Sequence, residues 1–255
     1  MKYPYLRTLP TLKQIGCWLS LVTIVGWNGV SLAQAPVFVP TPPDQGAPTG
    51  RRQGGATRGK CLDYQGLTAL VPQVEGVVWS QTASTTPRFF FYVPAALNSD
   101  IPLEFVIQDR DDTYVFRKGF FVDAAAGILA IPVAPDAELN NAELNLDETY
   151  TWTFVIYCDP ERPSASVSVT GTVMRVADSV ATNPTAELDP AAQLDRVRQY
   201  AAAGIWHEAF SGAIALYQTD PNNATYVETL QALMEQSDLA DISLPETIFE
   251  CCETP

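Results

Sequence analysis

His207 is the sole histidine among 255 residues, so a serine or cysteine nucleophile activated by an imidazole would have to use it. It stands between Trp206 and Glu208 inside a stretch of helical periodicity, and no G-x-S-x-G elbow accompanies it. A packed or capping role is therefore expected. Paired carboxylates are the other route to hydrolysis, since two acids roughly 5–10 Å apart can cleave a glycoside. Asp109, Asp111 and Asp112 lie around Arg110 between two strand-like runs, and Asp147-Glu148 precedes another. Aspartate at such places hydrogen-bonds its own backbone. The first expectation for Asp109, Asp111 and Asp112 is a hairpin turn, with a loop calcium site from the same oxygens as the runner-up. There is no EF-hand loop, P-loop or dinucleotide fingerprint. Neither a catalytic residue nor a cofactor is expected, and the chain reads as non-enzymatic.

The cysteines suggest a compartment. Lys2, Arg7 and Lys13 open the chain with no acidic residue before position 36, the run 15–27 is apolar, and Ala33-Gln34-Ala35 offers small residues for cleavage. That run is too short for a bilayer, which takes about 20 residues, and the pattern is that of a Sec-type signal peptide over residues 1–35. A periplasmic or secreted location follows, with no membrane span in the mature chain. Removing Cys17 with the leader leaves Cys61, Cys158, Cys251 and Cys252, an even set suited to an oxidising compartment. Adjacent cysteines sit about 3.8 Å apart at Cα, against a usual 4.4–6.8 Å for a disulfide. The expected pairings therefore send one C-terminal cysteine to Cys61 and the other to Cys158, tying residues 241–255 back to the first domain. A zinc site from these thiols and His207 lacks any Cys-x-x-Cys spacing.

Three of the 15 basic residues belong to the leader, so the mature part keeps 12 against 29 acidic ones, a formal charge of −17. Such a surface repels phosphate backbones and excludes nucleic acid as a partner. At 47% hydrophobic residues the chain can bury a core, and it does not have the composition of a disordered one.

The elements that must position these groups fall into blocks. Residues 36–60 are rich in proline, then in glycine, and carry Arg51, Arg52, Arg58 and Lys60; they read as a flexible basic linker. From 61 to 180 the period is two. Tyr150, Trp152, Phe154, Ile156 and Cys158 share one face, and Val167, Val169 and Val173 repeat the pattern. With Leu67–Val71, Arg88–Val93, Leu103–Gln108, Thr113–Phe116 and Ile128–Val133 this makes seven strands of an antiparallel β-sandwich, Ig-like or jelly-roll-like. The run Phe89-Phe90-Phe91-Tyr92 predicts a strand covered on both faces. From 181 to 240 the period becomes helical: Asp189 caps, Pro190 starts, Gly204 breaks, and Trp206, Phe210, Ala213 and Tyr217 line the next helix. Asp220-Pro221-Asn222-Asn223 closes it, and Val227, Leu230 and Met234 mark a third. The fold class is α+β, a sandwich followed by a short helical repeat-like bundle.

Gly204-Ile205-Trp206-His207-Glu208-Ala209 and the Asp220-Pro221-Asn222-Asn223 turn resemble a tetratricopeptide-type unit. The resemblance implies a docking surface, carried by Trp206, Phe210 and Tyr217. Over its whole mature length the chain also resembles a family of exported cyanobacterial proteins catalogued as a domain of unknown function. The residues that carry this are the 50–58 glycine-arginine segment, Leu67-Thr68-Ala69-Leu70-Val71-Pro72, Phe91-Tyr92-Val93-Pro94, Tyr157-Cys158-Asp159-Pro160, Ala203-Gly204-Ile205-Trp206 and the C-terminal cysteine pair. It implies a place outside the cytoplasm and no established activity. The expected function is an adaptor that docks an envelope or extracellular protein through the helices. The alternative is a carbohydrate-binding module using Trp79, Tyr92, Tyr114, Trp152 or Tyr157 on the sandwich, and a carboxylate-dependent hydrolase comes after it.

Overall fold

The computed structural model describes residues 35–43, 46, 48–55, 59–133, 143–159, 161–162, 164–180, 189–244 and 248–251. Residues 1–34 of the leader expected over 1–35 lie outside them, as does Cys252. The described residues all belong to one unit that runs from Gln34 onward. Among the described residues ten strands form two sheets: β1 (Thr68–Ala69), β2 (Gln73–Val74), β3 (Val77–Thr82), β4 (Arg88–Val93), β5 (Leu103–Gln108), β6 (Tyr114–Phe120), β7 (Gly127–Pro132), β8 (Thr149–Tyr157), β9 (Ser166–Arg175) and β10 (Ile248–Glu250). The smaller sheet has the order β1-β4-β7-β10, and the larger β2-β3-β9-β8-β5-β6. Helices α1 (Pro190–Ala202), α2 (Trp206–Thr219) and α3 (Ala224–Glu235) follow. The architecture is α+β and sandwich-like.

Alternation drives the sandwich, because successive side chains of a strand point to opposite faces. Tyr150, Trp152, Phe154 and Ile156 of β8 and Val167, Val169 and Val173 of β9 are all buried. Phe89 and Phe91 of the smaller sheet meet them: Phe91 lies 4.4 Å from Phe154 and Phe89 lies 4.9 Å from Phe105, centroid to centroid. Trp152 is paired with Gly171 across the β8–β9 ladder. A Cβ at Gly171 would strike the Trp152 indole and come within 2.6 Å of Val78 Cγ1, so the close approach requires glycine. The continuous apolar run of β4 is covered on both faces, as its sequence predicts. Phe90 points away from the sandwich and meets Phe210 of α2 at 5.3 Å.

Asp189 caps α1 by accepting from the Ala192 N–H, and Asn223 caps α3 by accepting from the Thr225 N–H. Helix α2 packs on β4 of the smaller sheet and on β3 of the larger one, and α1 and α3 pack against α2. Short aspartate-rich turns close hairpins: Asp109 Oδ1 accepts from the N–H groups of Asp111 and Thr113, and Asp112 takes a positive φ of 60°. This is the hairpin turn expected first for Asp109, Asp111 and Asp112.

Three expectations are corrected. The sheets are not wholly antiparallel, since β3 pairs with β9 and β10 with β7 in parallel. Strands β2, β3 and the tail strand β10 are not among the predicted strands; β3 lies between β2 and β9, and β10 forms an edge of the smaller sheet. The disulfide pairing also differs: Cys61 bonds Cys158, with their Cα atoms 5.2 Å apart. The bond ties the 3-10 helix Gly59–Tyr64 to the end of β8. Cys251 is oxidised as well, but to neither of these. The tail does return to the sandwich, held by the β10–β7 ladder and by the Cys251 N–H on the Ala130 carbonyl at 2.9 Å.

The glycine-arginine segment is also structured where it is described. Arg51 exchanges both backbone hydrogen bonds with Thr170, while Gly54 donates to Leu67 O and Ala69 to Arg52 O. This stretch crosses from the larger sheet to the smaller one and laces them together. Gly50 adopts φ +69°, and a Cβ there would lie 2.7 Å from the Thr170 carbonyl. Arg52 reaches the other way, donating to the carbonyls of Ser237 and Asp238 just beyond α3, at 2.6 and 3.0 Å.

Candidate functional site

The groups with the strongest chemical character sit where α2 closes the seam between the sheets. His207 is 3% exposed. Its Nδ1 lies 3.0 Å from the Arg88 carbonyl on β4, and its Nε2 lies 2.9 Å from Ser80 Oγ on β3. A carbonyl only accepts, so Nδ1 carries the proton and Nε2 of the neutral ring accepts from the Ser80 hydroxyl. Burial pushes the imidazole pKa down to about 4, against a smaller opposing effect of the Arg88 carbonyl. Ser80 is itself 3% exposed, so the pair has the elements of a nucleophile and its base but no access to a substrate. It acts as a clamp between the sheets.

Glu208 belongs to the same closure. Its Oε1 accepts from Thr82 Oγ1 at 2.7 Å and from the Ser84 N–H at 2.9 Å, holding the β3–β4 connection, while Oε2 has no partner among the described residues. Burial raises its pKa. Trp206 donates from Nε1 to the Leu70 carbonyl and stacks on Phe210 at 4.9 Å.

This placement corrects the docking residues. Trp206, Phe210 and Tyr217 are 1%, 0% and 8% exposed. Their helical stripe faces the protein's own core and leaves nothing apolar there for a partner. Trp79 and Trp152 are interior too, and Tyr92 is half-buried against the core. The outer face of the larger sheet keeps Tyr114 and Tyr157.

That face is a hydroxyl-rich platform. Thr151, Thr153 and Tyr157 alternate outward along β8, opposite Thr170 and Ser168 of β9. One cross-strand row runs Arg51, Thr170, Thr153, Val106, Arg117. Its four strand spacings of about 4.8 Å make the platform roughly 19 Å wide. At one end Glu104 accepts from Tyr157 OH at 2.7 Å and from Arg117 Nε at 2.8 Å, and Arg117 lies over the Tyr114 ring at 4.9 Å from its centroid. Burial alone would raise the Glu104 pKa, but the hydrogen bonds from Tyr157 and Arg117 outweigh it and hold the carboxyl below its usual range. The same bond, with burial, pushes the Tyr157 phenol up to about 12. The phenol thus stays protonated and its ring is fixed on the face. At the other end a pocket of about 330 Å³ opens between Pro48–Arg51 and Thr151, Ser168 and Thr170.

A second concavity of about 620 Å³ lies beside the disulfide, edged by Asp63, Asp100, Asp159 and Glu161. None of the four is buried. Asp147 turns the chain at φ +59°, and Glu148 accepts from Tyr150 OH. Among the described residues no group of three or more histidine, cysteine, aspartate or glutamate side chains is arranged to hold a metal. The zinc alternative loses its thiols to the Cys61–Cys158 bond and its imidazole to the seam. No helix among the described residues is long and apolar enough to cross a membrane.

Sequence reasoning missed Ser80 and the Arg51 pocket. The signal for β3 was present, a Glu75-Gly76 turn followed by Val77-Val78-Trp79. No curated protein and no solved structure matches the chain. The family model described as Domain of Unknown Function (DUF928) matches residues 53–246, and the chain belongs to that family.

Proposed function

We propose that the chain is a non-catalytic binding module that holds a polysaccharide on the outer face of its six-stranded sheet. The observation that carries this reading is the set of groups on that one face. Tyr157 and Tyr114 flank the Glu104–Arg117 pair beside the hydroxyls of Thr151, Thr153 and Ser168. Flat rings suit the C–H faces of a pyranose, and the fixed polar groups suit its hydroxyls. A protein partner docking on the helices is less well supported, because Trp206, Phe210 and Tyr217 are consumed in the core.

The module works outside the cytoplasm, in the periplasm or beyond the cell, as in the exported cyanobacterial proteins it resembles. The Cys61–Cys158 bond supports this, since such bonds persist in oxidising compartments. The α1–α2 hairpin and the Asp220–Asn223 turn support a single tetratricopeptide-like unit that serves as a seal for the sandwich. Affinity electrophoresis of the full chain through gels containing soluble polysaccharides tests the function. Retardation is expected in at least one gel and is lost in the Tyr114→Ala/Tyr157→Ala variant with its far-ultraviolet spectrum unchanged. Free migration of the wild type in every gel, neutral and acidic, overturns the reading.

A further inference from the structure

We infer that the pocket at Arg51 seats a carboxylate, so that the polysaccharide recognised is an acidic one built from uronate units. This rests on the sheet-face reading and adds the ligand's charge to it. Among the described residues lining the pocket Arg51 is the only charged one. Its guanidinium and the hydroxyls of Thr49, Thr151 and Ser168 make no hydrogen bond or ion pair among the described residues. Thr170 contributes less, because its hydroxyl already donates to the Trp152 carbonyl at 2.7 Å. The pocket therefore presents donors in excess and calls for an acceptor-rich ligand group. A guanidinium fork matches the two oxygens of a carboxylate, and neighbouring hydroxyls complete their lone pairs.

The site is also preorganised. Arg51 exchanges backbone hydrogen bonds of 2.7 and 2.9 Å with Thr170, and Gly50 presses the chain onto the sheet, so the side chain springs from a fixed Cα. Arg117, at the far end of the same row, is already neutralised by Glu104 at 2.8 Å, which leaves Arg51 as the row's cation for a ligand. The chain's acidity does not forbid an anion here. The Asp109–Asp112 turn follows β5, three strand spacings from Arg51. That is about 14 Å, beyond a Debye length of about 8 Å.

Polygalacturonate, its fully methyl-esterified form and dextran sulfate serve as probes in binding titrations of the full chain at about 0.15 M sodium chloride. The wild type is expected to bind the free acid about five- to tenfold tighter than the ester. The margin should shrink at about 0.5 M sodium chloride, where the Debye length is near 4 Å. Arg51→Ala should erase the margin, and Arg51→Lys should keep only part of it. Equal affinity for acid and ester, or a margin that survives Arg51→Ala, overturns the inference while leaving the sheet-face reading in place. Tighter binding of dextran sulfate than of polygalacturonate overturns the choice of a carboxylate. No binding of any probe by the wild type counts against the inference and, if the gels are also negative, against the reading beneath it.

Discussion

Replacing His207 by glutamine should change how stability depends on pH. The imidazole is neutral and enclosed, with a pKa of about 4 set chiefly by burial, whereas in the unfolded chain it titrates near its ordinary value of 6.5. Above that value neither state holds the extra proton. As pH falls from there to about 4 the unfolded chain binds a proton that the native fold refuses, so native stability is lost across that window and levels off below it. At about 1.4 kcal/mol per pH unit, the gap corresponds to a loss of roughly 3 kcal/mol. Glu208 works in the opposite sense, because its raised pKa lets the native state take up a proton first as pH falls. Its contribution is common to both proteins and cancels in the difference. Near neutral pH the His207→Gln variant should be less stable by about 1–2 kcal/mol, through poorer bonds to Arg88 O and Ser80. Urea unfolding followed by tryptophan fluorescence, at about pH 7.5 and about pH 4, gives both differences. The variant's deficit should vanish or reverse at the acid end. A deficit that stays constant across the window would refute a neutral, desolvated His207 at the seam.

Three further perturbations probe how the fold is held. Gly171→Ala forces a methyl group against the Trp152 indole and Val78, and should cost about 1–3 kcal/mol, read as a lowered thermal midpoint. Arg52→Met keeps an apolar stem but removes two bonds to the carbonyls beyond α3. A loss of about 1–2 kcal/mol is expected for this half-buried group, with faster hydrogen exchange in the last turn of α3. The Cys61→Ala/Cys158→Ala variant opens a link spanning 97 positions and should lose about 2–4 kcal/mol in urea without changing the folded spectrum.

Periodicity made much of this structure legible. Strands β4 and β5 begin and end where their apolar runs do, and the Asp189-Pro190 start and Gly204 break of the helices fall as their chemistry requires. Less legible were features decided by long-range contacts. Gly50-Arg51-Arg52-Gln53-Gly54 has the composition of a tether, yet Gly50 lets the chain lie against Thr170, and Arg52 serves carbonyls 185 and 186 positions away. The stripe Trp206, Phe210, Tyr217 is a helix face in either role, and periodicity cannot say whether a partner or the protein's own sheet covers it. The cysteine arithmetic gave an oxidised set but not its connectivity, which depends on where β8 ends relative to the first 3-10 turn.

The account turns on which surface meets the ligand. Amide chemical-shift mapping of the full chain titrated with short oligogalacturonates reads this directly. Shifts are expected to concentrate on Gly50 and Arg51, on Thr151 to Tyr157 and on Ser166 to Thr170, with α1 to α3 silent. Shifts confined to the concavity at Asp63, Asp100 and Asp159, or to the helices, would contradict a binding face on the six-stranded sheet.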